Sequence, residues 1–162
     1  MLNLNKLDIN KLKSKPLYIY NSLLKDKDTI LTNHKFVSGI YLLHNSINGK
    51  QYIGSAHDLS KILATYYFPS RLIDNRHISN SILKYGDDCF SLVILDVLGK
   101  TGLHSKSDIL TKEEYYFELY NPTLNINTKA TSSLGFKHSE ESKKLIAEFR
   151  KVNFYQIKLK KA

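Results

Sequence analysis

Tyr41 and Tyr52 are spaced so that their phenol groups can meet. They belong to the triplets Gly-Ile-Tyr at 39–41 and Tyr-Ile-Gly at 52–54, two short β-prone runs on either side of Asn48-Gly49. An Asn-Gly pair between such runs is the strongest short-range indication of a tight hairpin turn. Side chains alternate along strands, so both phenols can face one surface while the isoleucines face the other. Such phenols could position or deprotonate a water molecule, or they could be an aromatic pair that only stabilises the sheet.

A helix of about residues 55–68 is predicted directly after the hairpin. Asp58 is a suitable N-cap, and Pro69 ends the helix. Ile62 lies within an apolar stripe at helical spacing and is therefore predicted to be a core residue. The stripe comprises Leu59, Ile62, Leu63, Tyr66 and Tyr67.

A second short helix and a central strand follow. Apolar residues at 78, 82 and 83 and the helix-ending Gly86 indicate the helix. Residues 89–98 form a near-continuous apolar run, which is typical of a central strand. The order strand, strand, helix, helix, strand predicts a small mixed α/β (α+β) domain.

A further helix is predicted after a loop at residues 99–110. The stretch Thr111–Glu114 matches a capping box, so the helix should begin there and run through Tyr120, just before Pro122. Glu114 fits the capping role, which leaves Glu113 available for another function, although either glutamate could be a first-turn residue favoured by the helix dipole. Residues 122–127 should form an extended return segment.

The two triplets and the segments that follow them resemble the GIY-YIG homing endonuclease family, over about three quarters of the chain. The resemblance implies a core in which a three-stranded antiparallel sheet is flanked by helices. It also implies Mg²⁺-dependent cleavage of double-stranded DNA by an intron-encoded protein of the organelle type. In that family the two tyrosines lie beside an arginine, a glutamate that holds a divalent metal, and an asparagine.

The resemblance assigns roles to four residues. Tyr41 would be the base or water-positioning group and Tyr52 its partner. Glu113, nine residues before Pro122 as in family members, would hold Mg²⁺, and Asn125 matches the family asparagine. The alternatives are two core aromatics, a first-turn glutamate and a turn residue after the proline.

The chain departs from the family at the arginine. That residue lies ten positions after the second tyrosine, where this sequence has Ile62. Losing a preorganised cation at a transferring phosphate costs about 10³-fold in rate, so the departure implies a slow or inactive nuclease. Lys61, Arg71 and Arg76 lie nearby and could substitute, although lysine lacks the planar guanidinium fork.

Positive charge is concentrated at the two ends of the chain. Residues 1–35 carry +4 and residues 129–162 carry +6, whereas residues 36–128 carry −1. We therefore divide the chain into a basic N-terminal extension (1–35), a nuclease-like domain (36–128) and a basic helical tail (129–162). Basic ends on a near-neutral domain favour binding to nucleic-acid phosphates, although high charge can also serve solubility alone.

The tail is similar to the nuclease-associated modular DNA-binding motif found behind homing nuclease domains. A helix is predicted from Ser139 to about Val152, and its basic residues would flank phosphates. The alternative is a solvated helix that packs its apolar side on the core. The candidate nucleic-acid contacts are Lys137, His138, Lys143, Lys144, Arg150 and Lys151.

Length and composition limit the classes of protein to which this chain can belong. A chain of 162 residues can bury one substantial core. Cys89 is the single cysteine, so an internal disulfide is impossible, and no residue spacing indicates a zinc site. No membrane-spanning run or secretory signal is visible, so we expect a soluble, intracellular protein without membrane partners.

Two functional hypotheses follow. Lysine outnumbers arginine 21 to 3, as an A/T-rich organelle gene tends to encode, which indicates the mitochondrial matrix. The first hypothesis is a degenerate homing-endonuclease derivative, a pseudoenzyme without a cofactor that binds nucleic acid in a ribonucleoprotein. An organelle ribosome, with its RNA and proteins, is one such particle. The second is an active, Mg²⁺-dependent, site-specific endonuclease acting on double-stranded DNA.

Overall fold

A four-stranded antiparallel sheet forms the centre of the molecule. The computed structural model describes residues 5–72 and 77–125, together with Lys144. The strands are β1 (Tyr18–Tyr20), β2 (Val37–Asn45), β3 (Gln51–Ala56) and β4 (Phe90–Lys100), in the spatial order β1-β4-β2-β3. The helices are α1 (Lys27–Asn33), α2 (Leu59–Thr65), α3 (His77–Tyr85) and α4 (Lys106–Tyr120). The predicted α+β class is confirmed, with four strands where the sequence predicts three.

The predicted hairpin is formed by β2 and β3. Tyr41 lies opposite Gly54 in the register, and Tyr52 lies opposite Leu43. The connection turns at Gly49, whose φ of +74° is readily adopted only by glycine, and the Asn48 side chain accepts a hydrogen bond from the backbone N–H of Lys50 at 2.9 Å. Local turn chemistry therefore sets the register that aligns the two tyrosines.

The hairpin separates two apolar clusters. Tyr41 and Tyr52 belong to a cluster on the side of α2 and α3, and Ile40 and Ile53 belong to a cluster on the side of α4. This is the alternation that the sequence predicts, and it places aromatic and aliphatic side chains on opposite faces of the sheet.

The fourth strand comes from the segment that the sequence assigns to a basic extension. β1 pairs with β4 in antiparallel register, with Ile19 opposite Val93. Leu23 and Ile30 follow it into the tyrosine-side core, and both are fully buried. The segment is basic at its surface, but its apolar residues are part of the same fold.

The start of α4 differs from the prediction. The helix begins at Lys106, and its capping box is formed by Ser105 and Asp108, whose side chains each accept a hydrogen bond from the other's backbone N–H. Thr111 lies inside the helix and donates its hydroxyl to the carbonyl of Ser107. The prediction that the helix starts at 111 was therefore wrong, and Glu113 lies beyond the reach of the N-terminal dipole.

Within the described residues, no helix is both long enough and apolar enough to cross a membrane.

Candidate active site

Three tyrosines form a buried cluster on the α2 side of the hairpin. The hydroxyl oxygens of Tyr41 and Tyr66 are 2.7 Å apart and share a hydrogen bond. The rings of Tyr41 and Tyr52 lie with their centroids 6.3 Å apart at a tilt of 48°. Sequence reasoning counted Tyr66 as one residue of the apolar stripe on α2. Its hydroxyl group, which within the stripe only Tyr67 shares, is the feature that could have identified it.

The glycine of each triplet allows this close packing. A side chain at Gly54 would overlap the hydroxyl and ring of Tyr41, which lie close to the backbone of β3. A side chain at Gly39 would overlap the carbonyl of Asp96 on β4 and the side chain of Leu59 on α2. Because these two residues have no side chain, the phenol cluster and α2 can contact the backbone of the sheet directly.

Glu113 reaches the same hairpin from the side of α4. Its carboxyl group is hydrogen-bonded to the side chain of Ser55, the residue after Gly54. Neighbouring side chains on a strand point to opposite faces, so Glu113 lies across β3 from the phenols. The structure therefore brings Tyr41, Tyr52 and Tyr66 into contact, and it positions Glu113 on the other side of their strand.

The pKa of Glu113 is raised from its ordinary value of 4.5 to about 7. Burial is the largest cause, and the neighbouring charge of Glu114 adds to it, whereas the hydrogen bond from Ser55 acts in the opposite direction. Glu113 forms no ion pair with a residue that the structure describes. Among the residues that the structure describes, no cationic side chain pairs with this partly buried carboxyl group.

A magnesium ion fits a site of this kind. Mg²⁺ is commonly bound by one or two carboxylates, with water and substrate phosphates completing its coordination. Among the described residues there is no group of three or more histidine, cysteine, aspartate or glutamate side chains that could hold a metal. Glu113 would thus be the protein ligand, and a nucleic-acid phosphate would have to complete the site.

Asn125 holds the edge of the hairpin. Its amide oxygen accepts a hydrogen bond from the backbone N–H of Ile53, and its amide nitrogen donates to the carbonyl of the same residue, both at 2.8 Å. The side chain is 1% exposed. This geometry gives Asn125 a structural role in fixing β3 between the tyrosines and Glu113, and it goes beyond the turn role suggested by the sequence.

Ile62 is not the core residue that its spacing predicts, because 37% of its surface is exposed. It lines a cavity of about 380 Å³ at the end of β3, between α2 and α4. Ser55, the hydrogen-bond partner of Glu113, lines the same cavity. The position that the family resemblance assigns to arginine therefore lines the same cavity as the hydrogen-bond partner of Glu113.

Three cations were expected to be able to substitute for the family arginine, and the structure describes two of them. Lys61 lines the same cavity as Ile62. Arg71 lies in the 3₁₀ turn Pro69–Arg71 after α2, where its guanidinium stacks on the ring of Phe68 at 5.2 Å. Arg76 lies outside the described residues. Lysine is therefore the cation that the described part of the chain brings to this position.

The predicted nucleic-acid contacts of the tail lie outside the described residues, apart from Lys144, which is exposed. The others are Lys137, His138, Lys143, Arg150 and Lys151. Their role stays a prediction.

The chain is similar in sequence to two proteins of Neurospora crassa. One is described as probable intron-encoded endonuclease bI1, with 30% identity over 135 residues, covering 82% of this chain and 30% of that protein. The other is probable intron-encoded endonuclease 1, with 31% identity over 149 residues, covering 88% and 46%. The chain is a homologue of these proteins. It spans less than half the length of either relative, and no model of a protein family matches its sequence.

Two solved structures also resemble the chain. The catalytic domain of homing endonuclease I-TevI superposes with a TM-score of 0.44 and 27% identity, covering 54% of this chain and 92% of that domain. A point mutant of the same domain superposes with a TM-score of 0.44 and 25% identity, covering 52% and 84%.

Proposed function

We propose that this chain is a nucleic-acid-binding protein derived from a GIY-YIG homing endonuclease, and that its cleavage is impaired by Ile62. The observation that carries the proposal is the cavity lined by Ser55, the hydrogen-bond partner of Glu113, and by Ile62. The described lining of this cavity includes no arginine. The relatives, described as probable intron-encoded endonucleases, support the origin.

The impairment follows from what phosphodiester hydrolysis requires. The reaction needs a group that orients or deprotonates water, stabilisation of negative charge on the phosphate, and stabilisation of the departing oxygen. Tyr41, whose hydroxyl is held by Tyr66, and Tyr52 lie on the face of β3 opposite Glu113, so in this proposal they hold the strand in place and do not contact the phosphate. When bound at Glu113, Mg²⁺ would supply Lewis-acid stabilisation of charge on the phosphate and the departing oxygen. Without a bidentate guanidinium, charge stabilisation would fall short by about 10³-fold in rate.

The cellular role in this proposal is to bind nucleic acid, with DNA as the ancestral partner and RNA as a plausible present one. Backbone charge carries most of the affinity for either polymer, so a basic nuclease fold can move between them without new chemistry. A mitochondrial ribonucleoprotein such as the organelle ribosome is the setting that the lysine-rich composition favours.

The second candidate is an active, Mg²⁺-dependent endonuclease that cuts double-stranded DNA. Two observations favour it. Glu113 has no ion-pair partner within the described part of the chain, as expected of a metal ligand, and Lys61 lines the cavity in which a family arginine would act.

One experiment separates the two candidates. The wild-type protein and variants are incubated with Mg²⁺ and DNA that carries the uninterrupted insertion site of the intron. We expect the wild type to bind without measurable cutting and Ile62→Arg to cut at least about 10-fold faster. Ile62→Leu, which changes the side chain without adding charge, should stay inactive. Adding Glu113→Gln to Ile62→Arg should remove the restored cutting.

Two results would contradict this proposal. Site-specific cutting by the wild type that is lost in Glu113→Gln would establish the active enzyme and refute impaired cleavage. If Ile62→Arg binds DNA as the wild type does and still fails to cut, the absence of arginine is not the cause of inactivity.

A further inference from the structure

Two lysines on two different helices line the cavity. Lys61 lies on α2, and Lys106 is the first residue of α4. Both side chains are exposed, and neither forms an ion pair with a residue that the structure describes. Asp58 is the acidic residue of the lining, and its carboxylate accepts a hydrogen bond from the backbone N–H of Lys61 as the N-cap of α2. The two ammonium groups therefore make the cavity a site for an anion.

The backbone that carries these lysines is held in place around the cavity. The hydroxyls of Ser38 and Thr101 both donate to the carbonyl of His57, at 2.7 and 2.8 Å, which fixes the connection from β3 to α2. The Ser105–Asp108 capping box fixes the first turn of α4 immediately around Lys106. The two elements are thus anchored before a ligand arrives, which lowers the ordering cost of binding.

We propose that this cavity is a phosphate subsite in which Lys61 and Lys106 together hold one phosphodiester of a nucleic-acid backbone. The inference rests on the proposed binding of nucleic acid. Lysine binds phosphate as a point charge, so two ammonium groups can approach one phosphate from either side without the geometry that a guanidinium requires. Ile62 and Leu110 supply apolar walls that contact the sugar. Since Ser55 joins this cavity to Glu113, the subsite fixes the strand next to the carboxylate.

The test measures binding rather than cleavage, with the 162-residue chain and without divalent metal. A fluorescent duplex of about 30 base pairs is titrated by anisotropy at salt concentrations from about 50 to 200 mM. The variants are Lys61→Gln, Lys106→Gln and the double variant. The matched control is Lys50→Gln, which removes the same charge from an exposed position just before β3, at the end opposite the cavity. Thermal unfolding monitored by circular dichroism checks that each variant is folded.

If the two lysines share one phosphate, the salt dependence of binding should change by a defined amount. The slope of log affinity against log salt should fall by about 0.9 in the double variant, which is the value for one lost phosphate contact. The affinity of the double variant at low salt should fall about 10-fold. The effects of the two single variants should not add, because removing either lysine already weakens most of the contact with the shared phosphate. Lys50→Gln should keep the wild-type slope.

Three results would overturn the inference. A double variant that matches Lys50→Gln in slope and affinity would refute the subsite alone and leave nucleic-acid binding intact. Additive effects with a slope change of about 1.8 would mean that the lysines contact separate phosphates. A wild-type protein that binds no duplex or single-stranded nucleic acid would refute the proposed function and the subsite together.

Discussion

Replacing Glu113 by glutamine should make the protein more stable at alkaline pH. In the folded protein the pKa of Glu113 is about 7, compared with an ordinary value of 4.5. The folded state therefore holds a proton that the unfolded chain has already lost between these two values. The contribution of Glu113 to the free energy of unfolding is most favourable below about pH 4.5 and is lost as the pH rises through 7.

The magnitude follows from the size of the shift. Each unit of pKa difference corresponds to about 1.4 kcal/mol, so between about pH 5 and pH 8 the ionisation of Glu113 should cost the wild type about 2 to 3 kcal/mol. Glutamine keeps the shape and cannot ionise. The free energy of unfolding of Glu113→Gln relative to the wild type should therefore rise by that amount across this range, as measured by urea denaturation at both pH values.

Controls make this result specific to Glu113. Asp28→Asn, which removes a carboxylate from an exposed position on α1 at the other face of the sheet, is the control for a general change of charge. At about pH 8, Mg²⁺ at ten times its dissociation constant should stabilise the wild type by about 1.4 kcal/mol and leave Glu113→Gln unchanged. A stability difference between Glu113→Gln and the wild type that is the same at both pH values would refute the raised pKa.

Three further substitutions test the packing of the hairpin by urea denaturation. Gly54→Ala should cost about 1 to 3 kcal/mol, because the new methyl group overlaps the Tyr41 hydroxyl, and an unchanged stability would mean that the ring moves freely. Asn125→Ala should cost about 2 to 4 kcal/mol by leaving the backbone N–H and carbonyl of Ile53 unpaired, and a loss below 1 kcal/mol would show that water replaces the amide. Tyr66→Phe should cost about 1 kcal/mol through the lost hydroxyl contact with Tyr41, and a stabilised variant would contradict that hydrogen bond.

The sequence predicted the features of the site that depend on local rules. Strand alternation and the Asn48-Gly49 turn were sufficient to put both tyrosines on one face of the hairpin. The N-cap at Asp58 is equally local, and its carboxylate accepts the hydrogen bond expected of it.

The errors arose where distant parts of the chain decide the outcome. Ile62 satisfies the helical spacing, but α2 has only seven residues and lies beside the end of β3, where no described element covers its outer flank. Two capping sequences compete at the start of α4, and the one at Ser105 uses an aspartate in place of the usual glutamate. The pairing of β1 with β4 joins residues more than seventy positions apart, beyond any local pattern.

The two hydrogen bonds between Asn125 and Ile53 also cover part of the outer edge of the sheet. An outermost strand offers unpaired amide and carbonyl groups that can recruit a strand from another molecule and start aggregation. Here the side-chain amide of Asn125 pairs with the backbone N–H and carbonyl of Ile53, in the middle of the outer strand β3. A single uncharged side chain therefore occupies the donor and the acceptor that a strand from another molecule would need at this point of β3.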